Sequence, residues 1–158
     1  IKGLKILLSL LKPNGFLKLG LYSEIARRNI VIAREFIKKK KLKMTTEDLR
    51  NFREFINKEK GDTSLQEIIN IKDFYSTSMA RDLIFHVQEH RFTLLEINSS
   101  LDKLGMKFCG FEGQGIVANF KKNLGEDADT CDLLLWHQFE QQHPDSFIGM
   151  YQFWCQKA

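Results

Sequence analysis

The sequence predicts an α/β protein: a small sheet layered with helices and interrupted by a large α-helical insertion. Three observations carry this. Segments 16–22 (FLKLGLY), 106–112 (MKFCGFE) and 150–156 (MYQFWCQ) have strand length and are dense in apolar and aromatic residues. Six or seven helical stretches lie among them, most between the first strand and the second. The chain also opens with a helix, a Pro-Asn-Gly turn and a strand, and helices alternating with strands belong to α/β layers.

Leu4, Leu7, Leu8 and Leu11 recur at helical spacing, and Pro13-Asn14-Gly15 stops that helix and turns the chain. Residues 16–22 then read as a buried strand. Residues 23–41 are apolar at Ile25, Ala26, Ile30, Ala33, Phe36 and Ile37. Thr45 and Asp48 take capping-box positions before Leu49, Phe52, Phe55 and Ile56, and Gly61 is the stop. Ser64 and Glu67 form a second box ahead of another helical run. A polar, turn-rich entry (73–78) leads to a helix expected over about 79–90. Thr93 and Glu96 cap a further helix with Leu94, Ile97, Leu101 and Leu104 inward, ended by Gly105. Residues 115–123 and 130–142 read as helices closed by His143-Pro144. In the C-terminal stretch 136–154, Phe147, Tyr151, Phe153 and Trp154 are assigned to packing on the sheet.

The 158 residues suit one domain or a large piece of one, and 13 Phe supply a core. The chain opens on Ile rather than Met, which predicts an excised or processed piece of a longer protein. No signal peptide is recognisable, and no apolar run reaches the roughly 18–20 residues that cross a bilayer. Cys109, Cys131 and Cys155 are isolated and odd in number, which favours a reducing cytoplasm. Charge is uneven. Residues 27–60 hold 12 Lys and Arg against 5 Asp and Glu, a net of +7 within a chain of +4. The run KKKKLK (38–43) suits phosphates or an acidic surface; a solvated helix end is the simpler reading. No aromatic residue interrupts it, so nucleic acid is disfavoured.

Two motifs bear on chemistry. In DLIFHVQEH, helical spacing places Asp82, His86, Glu89 and His90 on one face, opposite Leu83, Ile84 and Val87. One reading is a zinc peptidase, with His86 and His90 as ligands and Glu89 as base, needing a third ligand from His137, Glu140, His143 or Asp145. A second is a polar helix face. A third is a non-metal active-site face with His as base and Asp82 or Glu89 as its orienter. GQGIVA (113–118) matches a dinucleotide loop, but the region that should end in a ribose-binding acid, DTCDLLLWHQFE, reads as helix.

LLSLLKPNGFLKLGLYSE (7–24) resembles the late motif of class I S-adenosylmethionine-dependent methyltransferases. There a helix ends in Leu-Lys-Pro-Gly-Gly and feeds the fifth strand of a seven-stranded sheet; Asn14 replaces the first Gly. DFYSTSMARDLIFHVQEHRFTLLEINSSLDKLGMKFCGFE and FEQQHPDSFIGMYQFW are similar to segments of bacterial methyltransferase domains often joined to tetratricopeptide repeats. The resemblance runs from about residue 1 to 156. It implies a partial class I (Rossmann-like) sheet of three strands. Residues 16–22 would be its fifth, 106–112 its sixth and 150–156 its seventh, the last reversed between the other two. Residues 23–105 would be a helical cap within a C-terminal methyltransferase portion spanning 1–158.

The resemblance further implies that Tyr22, Ser23 and Glu24 line the acceptor pocket, with Arg81 as another substrate-side residue. It turns His86 and His90 toward proton removal, with Asp82 or Glu89 as orienter, and away from metal. S-adenosylmethionine is then the cofactor of the full-length protein, with none expected on this fragment, which is inactive alone. The acceptor, a protein or a small molecule, is left open. No membrane partner is expected, and half a sheet leaves an edge for self-association. The alternative is a non-catalytic helical interaction module derived from a methyltransferase, docking an acidic partner through the +7 stretch. A zinc-binding His-x-x-Glu-His protein is the minor alternative.

Overall fold

The computed structural model describes residues 2–43, 45–58, 63–85 and 88–158. They divide into two compact units, 1–26 with 90–158, and 27–89.

The first unit contains a four-stranded sheet. Helix α1 (Lys2–Leu10) leads through Pro13-Asn14-Gly15 into β1 (Phe16–Ser23). The turn shows why those residues are there. Asn14 has φ 59°, the left-handed region that Asn tolerates. The Gly15 N–H donates to the Lys12 carbonyl at 2.9 Å. A Cβ on Gly15 would sit 2.8 Å from that same carbonyl oxygen, so only glycine fits.

The remaining strands are β2 (Arg91–Phe92), β3 (Met106–Phe111) and β4 (Met150–Lys157), in the spatial order β2-β1-β4-β3. β4 is antiparallel to both of its neighbours, so the last segment lies reversed between 16–22 and 106–112, as expected. The two-residue β2 was not expected. It pairs parallel with the end of β1, Tyr22 opposite Arg91 and Ser23 opposite Phe92.

Side chains alternate along the strands. Leu17, Leu19 and Leu21 of β1 and Tyr151, Phe153 and Cys155 of β4 turn into one core. Phe16 and Trp154 face the other way, 57% and 42% exposed. The expected buried first strand and buried Trp154 are therefore corrected: this sheet is packed on one face. β3 carries a bulge between Phe108 and Gly110. Phe108 and Phe111, three residues apart, would otherwise lie on opposite faces; the extra residue lets both turn inward, 5.0 Å apart edge to face.

Helices α6 (Leu94–Lys103), α7 (Gln114–Leu124) and α8 (Leu133–Gln142) complete that core with Leu94, Ile97, Leu101, Phe120, Leu133, Trp136 and Phe139. Thr93 and Glu96 form the expected capping box. Phe120 stacks on Trp136 at 3.8 Å, and the Trp136 indole N–H donates to the Thr130 carbonyl.

The second unit is helical: α2 (Arg28–Lys40), α3 (Thr46–Lys58), α4 (Thr63–Gln66) with two 3₁₀ turns (Glu67–Asn70 and Lys72–Tyr75), and α5 (Thr77–Phe85). Its own core holds Ile30, Ala33 and Ile37 from α2, Leu49, Phe52 and Ile56 from α3, then Leu65, Ile68, Phe74, Ala80, Leu83 and Ile84. Thr45 caps α3 by accepting from the Asp48 N–H. Gly61 lies outside the described residues. The helical unit is tighter than the 23–105 expected, because α6 packs in the core of the sheet.

Helix α5 is described to Phe85; residues 86 and 87 lie outside the described residues, and 88–90 are not helical, so the helix expected over 79–90 does not reach 90. The Arg34 guanidinium donates to the Leu83 carbonyl at 2.6 and 3.1 Å. Arg34 also reaches the Glu89 carboxylate at 2.9 Å, and Arg27 grips Glu89 with two bonds, at 3.0 and 2.5 Å. Arg27 and Glu89 are the first and last residues of this unit, so the pair fastens its entry to its exit. No helix among the described residues is long and apolar enough to cross a membrane.

The Glu89 side chain is only 3% exposed. Removing it takes their shared carboxylate from two guanidinium groups that have little solvent, and breaking one side of a buried pair costs about 3–5 kcal/mol. Glu89→Ala is expected to destabilise the helical unit by that order in denaturant titration. Amide exchange should quicken across 28–40 and 77–85.

Candidate functional site

The carboxyl ends of strands are where open α/β sheets hold ligands. At that end of β1 stand Tyr22, Ser23 and Glu24. Ser23 is fully buried, Tyr22 half-buried and Glu24 exposed. The Ser23 hydroxyl donates to Glu140 Oε1 at 2.9 Å and lies 3.0 Å from the Tyr151 hydroxyl. Tyr151 in turn donates to Glu140, 2.8 Å from each carboxylate oxygen. Ser23 Oγ also accepts from the Ala26 N–H, shaping the turn out of β1. Three segments distant in sequence thus meet on one buried carboxyl: the end of β1, the last turn of α8 and the start of β4.

Glu140 is 0% exposed. Burial pushes its pKa above the usual carboxylate range, and the hydrogen bonds from Tyr151 and Ser23 only partly offset this. Burial likewise raises the Tyr151 phenol. Over the carboxyl end of β3 lies an open hollow of about 570 Å³, bordered by Glu112, Asn119, Asp145, Ser146 and the exposed Ile148.

The sequence-derived site does not assemble as one face. Asp82 is exposed on α5. Arg81, on the same helix, donates to Thr46 Oγ1 at 2.9 Å. His86 lies outside the described residues. Glu89 is buried between Arg27 and Arg34; burial alone would raise its pKa, but the two guanidiniums outweigh that and hold it below the ordinary value. A carboxylate so clasped is not free to activate a water, which removes the base that the zinc reading requires. His90 belongs to the sheet unit, exposed and edge-on to Phe92 at 4.6 Å. Among the described residues, no group of three or more His, Cys, Asp or Glu is arranged to hold a metal ion.

GQGIVA begins α7, with Gly113 at φ 108° as its N-cap. Asp132, about twenty residues after the loop's first Gly, caps α8 by accepting from the Leu134 and Leu135 N–H groups. It does not end a strand, so the loop lacks the acid of a dinucleotide site. The sequence offered Glu140 only as a possible metal ligand and Tyr151 only as a packing residue; their hydrogen bond to each other was not foreseen. A signal existed: Leu133, Trp136 and Glu140 share helical spacing, so a carboxylate sits on the apolar stripe of α8.

No known protein family and no curated protein matches this sequence. Among solved structures, PKMT2 from Rickettsia typhi, a methyltransferase, superposes with a TM-score of 0.68 at 13% identity. The match covers 98% of this chain and 31% of that one. The fold is methyltransferase-like.

Glu140 and Glu89 act on stability with opposite sign. Glu140, with its raised folded pKa, contributes stability below the unfolded carboxylate pKa and loses it as pH rises through the folded value. Glu89, with its lowered folded pKa, contributes above the unfolded value and loses it as pH falls through the folded one. Glu140→Gln is therefore expected to gain stability relative to the parent as pH rises from the acid range to neutrality. Denaturant titrations across that range check this, and a constant difference between the two proteins overturns it.

Proposed function

We propose that this chain is the carboxyl-terminal portion of a cytoplasmic class I S-adenosylmethionine-dependent methyltransferase of the kind often joined to tetratricopeptide repeats. On this reading β1, β3 and β4 are the fifth, sixth and seventh strands of its sheet. The observation that carries the reading is the reversed β4 between two strands that are parallel to each other, together with superposition on a methyltransferase over nearly the whole chain.

Unsatisfied surfaces support it. On the side away from β4, β1 is paired only at Tyr22 and Ser23 among the described residues, which leaves Phe16–Leu21 as an open edge. α1 packs Leu4 and Leu8 on the core, leaves Leu7 partly exposed beside them, and exposes Ile6 and Leu10 on its other side. A helix apolar on both sides belongs in an interior. Beside it runs an apolar groove of about 270 Å³ lined by Leu4, Leu7, Leu19, Leu21, Ile97 and Phe153. A preceding strand and helix would cover these surfaces, and β2 leaves room for that strand only along Phe16–Leu21.

Among the described residues no cofactor loop is complete: the Gly-x-Gly loop opens α7, and Asp132, about twenty residues on, caps α8 instead of ending a strand. When bound to the rest of the protein, S-adenosylmethionine supplies an electrophilic methyl group. This chain supplies the acceptor side. Ser23, locked by Glu140 and Tyr151, holds the end of β1, so that Tyr22 and Glu24 border the acceptor at a constant position. His90, exposed beside β2, takes a proton from an acceptor that carries one. The acceptor itself is a protein or a small molecule.

Two measurements test this. Calorimetric titration of the 158-residue protein with S-adenosylmethionine is expected to give little or no heat, and tight binding would contradict the proposal. Light scattering should find self-association through the open β1 edge, and a monomer at all concentrations would count against that edge.

A further inference from the structure

The end of α2 carries more positive charge than its fold requires. Lys38, Lys39 and Lys40 form its last turn, and Lys41 and Lys43 follow. All five are exposed. None is in an ion pair among the described residues; Lys40 alone has a recorded side-chain contact, over the Phe36 ring at 5.7 Å. Cations in a last helical turn complement the helix dipole, but that effect fades within the turn and does not reach Lys43.

Lys41 is the telling residue. It has φ 54° and ψ 34°. The Leu42 N–H donates back to the Ile37 carbonyl and the Lys41 N–H to the Lys38 carbonyl, which makes a Schellman motif. Glycine is the usual occupant of that left-handed position, because a side chain there is strained. Here the position keeps a lysine.

We propose that this lysine cluster is a docking surface for an acidic protein segment. The inference rests on this unit alone and not on the methyltransferase reading. Charge complementarity names the partner. The residues are all Lys, point charges that attract carboxylates without the planar fork by which Arg grips phosphate. No exposed aromatic side chain stands among them to stack on bases. α2 has no apolar face left to enter a bilayer, because Ile30, Ala33 and Ile37 are buried in the unit's own core. Among the described residues of this unit, the exposed large apolar ones, Tyr75 and Met79, are on other elements.

The test uses the full chain and a fluorescein-labelled glutamate-rich peptide, read by anisotropy. Binding is expected at about 0.01 M ionic strength and lost by about 1 M, where charges are screened within a few ångströms. K39E/K41E/K43E should weaken it at least about tenfold. K103E/K107E/K122E, an equal charge change on the sheet unit, should leave it within about twofold. Lys41→Gly separates docking from folding: it should raise the melting temperature while weakening the peptide. No binding by the parent at low salt, equal loss in both triple variants, or a Lys41→Gly protein that binds like the parent would overturn the proposal. So would tighter binding, through these same lysines, of a duplex oligonucleotide or of phosphatidylserine vesicles.

Discussion

The sheet unit depends on β4 lying between β1 and β3. An interior strand satisfies its backbone on both sides, and β4 is paired with both neighbours over 153–156. It follows β1 and β3 in the sequence, so it inserts between two strands already made. Tyr151, Phe153 and Cys155 have no exposure, and each sits between a leucine of β1 and an aromatic or helical residue of the shared core. Without β4, β1 and β3 would be two parallel strands with no bond between them. Every other feature of this unit, including the hydroxyl of Tyr151 at the site, is placed by that insertion.

What was legible in the sequence follows from how local each cause is. Pro13-Asn14-Gly15, Thr45 with Asp48, and Thr93 with Glu96 act within a few residues, and each does what its type and spacing dictate. The strands were legible as apolar segments, but their faces were not. An apolar run such as FLKLGLY does not say whether one face or both are covered, and here Phe16 and Trp154 remain outside. β2 was illegible because two residues carry no period, and its pairing depends on where β1 ends.

Of the candidate site, the sequence made the position of Tyr22, Ser23 and Glu24 at the end of β1 legible. The face assembled from Asp82, Glu89 and His90 failed for a non-local reason. Helical spacing assumes a helix through 90, whereas 88–90 are not helical, and Arg34, half a hundred residues upstream, takes the Glu89 carboxylate. No pattern within 79–90 announces a guanidinium arriving from another helix. Glu140 stands between these cases: its place on an apolar stripe was visible, but its partners Ser23 and Tyr151 come from 117 and 11 residues away.

The clasp between Arg27 and Glu89 also explains how a unit this large can interrupt a sheet. Tethering the ends of a loop several tens of residues long costs between about 3 and 5 kcal/mol of chain entropy. The parallel pair that spans the interruption is two residues long, and each backbone hydrogen bond contributes only about 1 kcal/mol net. β2 alone cannot hold so long a loop closed. The helical unit therefore has to close itself, and it does so twice: by a core of its own and by a buried ion pair at its two end residues. With its ends already joined, the insertion presents itself to the sheet as a short connection, and β1 and β2 pair across it as they would across a turn. That division of labour makes Glu89 a structural residue first, which is why a motif that looked chemical in the sequence turns out to hold a neck shut.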